Sequence, residues 1–489
     1  MVNLRGLICR IISMFIAIIS AAVLASQFVQ CHRFVEKANA SNAHEMNLSE
    51  LGDRVLIISP HPDDEVLACG GLIALLSRNN ALVKVLFVTL GEGFTFALEQ
   101  ELRTVFVSTQ DRLRFAKVRA SEASKALSIL GDTTRNIEVE FLGIPETAMG
   151  QMWLRHWGED NPCVKNALKS CYSHPFTNGI KPFALCADKV IDQLKRSISE
   201  FNPTSIFIPH RHDDHIVHWA TNVFSLAALM ELRYEGKLDG RVGVYEYLVH
   251  FGRYPEPQGN FPKLPLLPPK MLSEGAFEGW IMLSLPKDIV TLKAKAIKAY
   301  ESQRSIMPRF MNSFVRSTEV FEKADTSEHL ENGILIHDRL FEPVMPAIRP
   351  SADVKSILVF CSGESLTVTV NLRSKASELI AYRLHMFKPA CSGNARYNLV
   401  VSVRGNGEFH EVVGISQEVV LCQRVSESLV ISFPKQVLGG FATWLVTFEV
   451  ITGGRMVDRT APIIISIEGK RCASHNEAAL SMSCSKESL

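Results

Sequence analysis

Val55-Leu56-Ile57-Ile58-Ser59-Pro60-His61-Pro62-Asp63-Asp64-Glu65 is an apolar run that ends in a histidine and three acids, with an apolar helix-forming stretch behind it. Its first residues have the length and branched composition of a strand buried on both faces. Imidazole and carboxylate are ligand types of a catalytic zinc, which takes three protein ligands and keeps a fourth position open. His61 and Asp64 supply two of the three. Pro62 fixes a backbone dihedral right after His61, which suits a sharp strand-to-helix turn. On that turn Asp63 is aimed at the water of the open position.

A second apolar run, Thr204-Ser205-Ile206-Phe207-Ile208-Pro209, leads into His210-Arg211-His212-Asp213-Asp214-His215-Ile216-Val217-His218. Both halves read as strand, His/Asp-rich loop, helix, and loops at the carboxyl ends of strands are where open α/β sheets gather ligands. Pro60-His61-Pro62-Asp63-Asp64-Glu65 together with His212-Asp213-Asp214-His215 resembles the PIG-L / LmbE-like family of zinc-dependent N-acetylglucosaminyl deacetylases. Thr89-Leu90-Gly91-Glu92-Gly93, Arg119-Ala120-Ser121-Glu122 before Leu130-Gly131, and Ala299-Tyr300-Glu301-Ser302-Gln303 fall where that family carries similar segments. The resemblance covers roughly residues 50–310 and departs at Asp213, where the family commonly has proline.

The resemblance implies Zn2+ held by His61, Asp64 and His215, with Asp63 as general base and His212 stabilising the oxyanion of an acyl-transfer intermediate. It implies a glycoconjugate substrate containing an N-acetylated amino sugar, and an Arg119 that faces it; a salt bridge from Arg119 to Glu122 explains that arginine equally well. Asp214 is expected to orient a metal-site histidine through its other nitrogen. Glu65 reads either as a first-turn acid favoured by the helix dipole or as a supporting carboxylate. His210 and His218 stand outside the expected ligand set. Two other readings are a glycan-binding protein that keeps the metal site without turnover and a metal-dependent phosphoesterase. Histidine ligation disfavours the second, because Mg²⁺ prefers oxygen.

The rest of the chain bounds the answer. With 489 residues and 47% hydrophobic content it can build two or three cores. The 52 basic and 51 acidic residues nearly cancel, so no global field favours nucleic acid. Residues 11–30 are uncharged and follow Arg5 and Arg10, which fits a signal peptide or an N-terminal membrane anchor over 1–34 and an extracytoplasmic location. Eleven cysteines are scattered with no C-x-x-C pair, and Cys163, Cys171 and Cys186 cluster where a disulfide is plausible.

After a linker at 35–52, strands expected at Val55–Ser59, Val83–Thr89, Ile137–Phe141, Thr204–Ile208 and Val242–Leu248 alternate with helical stretches, the last running from Lys287 to about Gln303. This implies an α/β, Rossmann-like, mostly parallel sheet with helices on both faces over 53–345. The G-x-G-x-x-G spacing of dinucleotide sites is missing after the first strand. Gly143–Ala187 reads as a loop insertion. From Ser356 onward, eight short β-rich runs imply a C-terminal all-β sandwich-like accessory domain over 350–470, before a polar tail at 471–489.

Overall fold

The computed structural model describes residues 44–104, 106–131, 136–159, 164–177, 179–273, 279–324, 328–329, 333–337, 350–390, 395–438 and 442–467. The apolar run at 11–30, Cys163 and the tail at 471–489 lie outside them. Among the described residues no helix is long and apolar enough to cross a membrane.

After the short strand β1 (His44–Glu45), the opening motif forms β2 (Arg54–Ser59). Val55 to Ile58 have no exposed surface, which is why this strand lacks polar alternation. Each such side chain contributes roughly 1.5–3 kcal/mol on leaving water. β3 (Leu82–Thr89) and β4 (Ile137–Ile144) lie on one flank of β2, and β5 (Ser205–Pro209) and β6 (Gly243–Tyr247) on the other, all in parallel. The chain thus builds outward from β2, then returns to β2's opposite edge for β5. Their carboxyl ends form a topological switch point, where the two flanking loops diverge and leave a crevice.

Beyond β6 the sheet continues with β7 (Trp280–Ser284) and β8 (Thr318–Lys323), in the order β1-β7-β8-β6-β5-β2-β3-β4. β8 is antiparallel to β6 and β7. Neither β7 nor β8 was expected from sequence. Within β8, Glu319 is buried with Lys293 (Oε1 to Nζ 2.6 Å) and accepts from the Gly71 and Leu72 amides.

Three helices, α1 (Asp64–Arg78), α3 (Thr109–Leu130) and α7 (Lys287–Ala299), share the core with this sheet; α2 (Thr95–Leu102) precedes α3. α3 starts at Thr109 because Ser108 and Asp111 form a reciprocal capping box. α7 stops at Ala299, short of Gln303, because Tyr300 leaves helical geometry at φ −83°, ψ 66°. The Gly143–Ala187 segment is irregular apart from a short helical stretch that includes α4 (Met149–Arg155), whose Trp153 is fully buried. Cys171 is disulfide-bonded and Cys186 is free. α5 (Ala187–Phe201) and α6 (Ile216–Tyr234) follow the irregular segment and β5.

The chain divides into two compact units: Met1–Val190, Glu200–Thr221 and Val242–Lys323 in one, Ile191–Ser199, Asn222–Arg241 and Ala324–Leu489 in the other. In the second, a five-stranded and a seven-stranded sheet, antiparallel except for one short parallel pairing, share a core that includes Leu366, Val368, Leu384, Leu399, Trp444 and Phe448. Seven of the eight runs read from sequence fall on strands. Around Glu418–Cys422 the chain first makes a 3-10 turn and the strand begins at Leu421, while Phe409–Val413 and Arg455–Arg459 are additional strands. The same unit holds an ion network around the buried Glu231. Arg396 donates from Nε and Nη2 to the two oxygens of Glu231 at 2.7 and 2.9 Å and from Nη2 to Asp192 at 2.6 Å, and Lys195 donates to Glu231 at 2.8 Å.

Candidate metal centre

The turn after β2 is tight. Asp63 is the residue before α1 and sits at φ 130°, a region that side-chain-bearing residues rarely occupy, at a cost of about 1–3 kcal/mol. Its carbonyl receives the amides of Val66 and Leu67, but its carboxylate caps no helix amide. Arg119 Nη2 instead meets Asp63 Oδ1 at 3.1 Å. The same guanidinium donates to the Pro62 and Gly91 carbonyls, and Arg119 is almost wholly buried. The sequence resemblance had turned Arg119 towards substrate; here it holds the Asp63 turn, and Glu122 pairs with Ser302 instead of Arg119.

Three donor atoms from the two loops converge. His61 Nδ1 lies 3.0 Å from Asp64 Oδ2 and 3.2 Å from His218 Nε2, and His218 Nε2 lies 3.0 Å from the same Asp64 oxygen. A tetrahedral zinc with bonds of ~2.0–2.2 Å spaces its ligands roughly 3.3 Å apart, so a cation fits this triangle with little movement. Two imidazole nitrogens and a carboxylate this close need positive charge among them, from protons or from a metal. Burial lowers the affinity of both rings for protons, but the acids outweigh it: Asp64 and Glu146 bring His61 to about 9, while Asp213 and Asp64 bring His218 to about 10.

The structure therefore adds a histidine to the expected set. His218, which the sequence reading left outside the set, joins His61 and Asp64 in the triangle, and His61, His215 and His218 also offer ligand-type atoms within 4.8 Å of one another. His215 flanks the triangle, with its ring centroid 4.9 Å from that of His61 and its Nε2 4.0 Å from Glu146. Burial and the neighbouring imidazoles hold His215 well below its usual value. His212, expected to face the oxyanion, packs instead on His210, to whose Nδ1 its amide donates at 3.0 Å. Residues 212, 215 and 218 repeat every three residues, and only His218 lies within α6, which starts at Ile216.

The orienting carboxylate moves as well. Asp213 Oδ2 accepts from His218 Nδ1 at 3.1 Å and from the Val249 and His250 amides, which fixes the ring that presents Nε2 to the triangle. Asp214, expected in that role, accepts from the Gly252 amide at 2.6 Å and so ties the loop to the segment after β6. Asp213, the departure from the family's proline, thus has a defined place.

Glu146 and Glu92 were not singled out by the sequence reading. Glu146 follows β4 and brings Oε1 within 3.5 Å of His61 Nε2, while its Oε2 accepts from the Gly93 amide at 2.9 Å. Glu92 accepts from the Glu146 amide. Burial and the Glu146 charge push Glu92 up to about 7; Glu146, despite its own burial, is drawn down to about 2 by His61 and His215. No motif marked Glu146, because 85 residues separate it from His61 and a lone glutamate has no signature. His61 Nε2 and His215 Nδ1 are buried without hydrogen-bond partners among the described residues. Asp63 is pushed up to about 7 by burial, against the pull of Arg119.

Next to His215 opens a cavity of about 300 Å³ lined by Asp214, His215, His250, Phe251, Gly252, Tyr254, Gln258 and Phe310. His250 stacks on Phe310 at 5.3 Å. A separate group, His210, Glu246 and Glu322, has ligand-type atoms within 4.8 Å of one another. His210 Nδ1 already accepts from an amide, so in the neutral ring Nε2 carries the proton it shares with Glu322 at 2.6 Å. That is a hydrogen bond from an imidazole to a carboxylate.

Residues 56–229 match the family model described as PIG-L: GlcNAc-PI de-N-acetylase. The 1D-myo-inositol 2-acetamido-2-deoxy-alpha-D-glucopyranoside deacetylases of Mycobacterium sp. strains KMS and JLS are each 40% identical over 84 residues, 17% of this chain. The chain spans about a quarter (26%) of the length of these curated relatives. A solved N,N'-diacetylchitobiose deacetylase from Pyrococcus horikoshii is 17% identical at a TM-score of 0.35, covering 57% of this chain and 88% of its own. The conserved protein TT1542 from Thermus thermophilus is 18% identical at a TM-score of 0.33, covering 56% and 96%. The switch-point loops, the strand-to-helix turn and the match over their length agree on one assignment: this chain carries a PIG-L family domain over residues 56–229.

Proposed function

We propose that this chain is a zinc-dependent hydrolase that removes an N-acetyl group from a GlcNAc-containing glycoconjugate. The observation that carries the reading is the triangle of His61 Nδ1, Asp64 Oδ2 and His218 Nε2 with Asp63 beside it on a strained turn. His61, Asp64 and His218 would hold the zinc. Bound zinc lowers the pKa of a water towards ~7 and polarises a carbonyl. Asp63 accepts the proton of the attacking water and returns it to the departing amine nitrogen, a task suited to a carboxyl that burial has brought to about 7. His215, at the border of the triangle and the cavity, donates to the oxygen of the acyl carbonyl as its charge grows. Arg119 keeps the Asp63 carboxylate in place. The cavity next to His215 receives the sugar on the stacked His250–Phe310 wall.

The experiment is acetate release from a panel of GlcNAc conjugates by purified protein, before and after chelation and after zinc is added back. Release that stops with chelation and returns with zinc is expected; absence of release from every conjugate by zinc-replete protein rejects the reading. We also place the described residues outside the cytoplasm, on the strength of the uncharged run after Arg10. Protease added to intact cells should then degrade the protein, and full protection inside the cytosol would contradict that placement.

A further inference from the structure

We propose that Glu65, held by Tyr300, is a positioning residue that keeps the Asp63 turn in its strained conformation and so leaves the Asp63 carboxylate free for proton transfer. The inference rests on the role given to Asp63 above, but its first readout does not.

An aspartate just before a helix ordinarily spends its carboxylate on the exposed amides of the first turn. Asp63 does not, and its backbone stands at φ 130°. Its own amide, buried outside the helix, would be an orphan donor without a partner. Glu65 supplies that partner: Oε2 accepts from the Asp63 amide at 3.0 Å. This is the backward half of a capping box, made by the second helical residue and not accompanied by the forward half. The other oxygen of Glu65 accepts from the Tyr300 hydroxyl. Glu65 and Tyr300 are both fully buried, and Tyr300 sits where α7 ends, so the clamp is anchored on a different helix from the one it serves.

Arg119 secures the turn from the opposite side through the Pro62 carbonyl and Asp63 Oδ1. Amide and carboxylate of Asp63 are therefore gripped independently. Loss of the Glu65 acceptor leaves a buried amide that is satisfied most simply if the chain relaxes to negative φ and the Asp63 carboxylate swings onto its own helix amides. General-base geometry would be lost while His61 and Asp64 remain able to bind zinc.

Crystal structures of zinc-loaded wild type, Glu65→Ala, Glu65→Gln and Tyr300→Phe test this, with kinetics on the best substrate found. Asp63 should leave positive φ in Glu65→Ala and keep it in Glu65→Gln, whose amide oxygen accepts the same N–H. With an active substrate, Glu65→Ala should lose about 100-fold in kcat at unchanged KM and zinc content, the scale of a misplaced catalytic group. Glu65→Gln should recover most of it, and Tyr300→Phe should lose about tenfold. An unchanged Asp63 turn in Glu65→Ala overturns the proposal, even if no substrate is found. So does a Glu65→Gln variant as impaired as Glu65→Ala, because Glu65 would then act through its charge. Should Glu65→Ala not fold, an unchanged kcat and unchanged Asp63 turn in Tyr300→Phe would overturn it.

Discussion

Asp63 carries two burdens at once, a positive φ and a carboxylate pressed against a buried guanidinium. Neither makes sense for a residue whose purpose is to start a helix, since capping is cheaper in relaxed geometry. Strain that persists in a fold clusters where a group has to be aimed. Asp63→Asn keeps the shape and removes the proton acceptor, so zinc content should stay at wild type while acetate release falls by ~100- to 10,000-fold. Paired metal analysis and rate measurement decide this; near-normal turnover would remove Asp63 from the proton path. His61 and Asp64 were legible because one short loop holds both. His218 was not singled out, because His212, His215 and His218 offer the same chemistry at the same spacing. Asp213 was legible as a departure from the family but not as the partner of His218.

At the scale of elements, the centre exists because β2 and β5 are neighbours in parallel register, Val55 beside Ser205 and Ile57 beside Phe207. The apolar runs gave those strands away. β7 and β8 escaped, β7 because it is a run of only five residues and β8 because its Glu319 finds a buried partner in Lys293 that no local pattern reveals. The turn after β3 adds a tighter constraint. Gly91 has φ 64°, and a Cβ there would lie 1.5 Å from Arg119 Nη1. Gly91→Ala should therefore displace Arg119 from Asp63 as well as strain the turn. Chemical denaturation should show a loss of roughly 1–3 kcal/mol, with kcat falling more than zinc affinity. Wild-type kcat in this variant would mean that Arg119 is not needed to hold Asp63.

For the whole molecule, the sequence placed one boundary near residue 350, where strand-helix alternation gives way to strands alone. The compact units divide differently, because Ile191–Ser199 and Asn222–Arg241 group with the β sheets. The reason is visible in Glu231: it has no exposed surface, and the two nitrogens that grip it as a fork come from Arg396, 165 residues away. Helical periodicity shows that Glu231 lies on α6 but says nothing of so distant a partner. Removing one side of a buried pair strands the other charge. Arg396→Ala should cost ~2–4 kcal/mol in unfolding free energy, tempered by Lys195, which also holds Glu231. No measurable loss on thermal or urea unfolding would show that the network contributes nothing to holding the unit together.

The position of the metal ion tests the account most directly. Crystals of the protein loaded with zinc, measured at the zinc absorption edge, should show one anomalous peak within ~2.0–2.2 Å of His61 Nδ1, Asp64 Oδ2 and His218 Nε2, with Asp63 outside bonding distance. A peak ligated by His215 in place of His218, a peak at His210, Glu246 and Glu322, or no peak at all would contradict it.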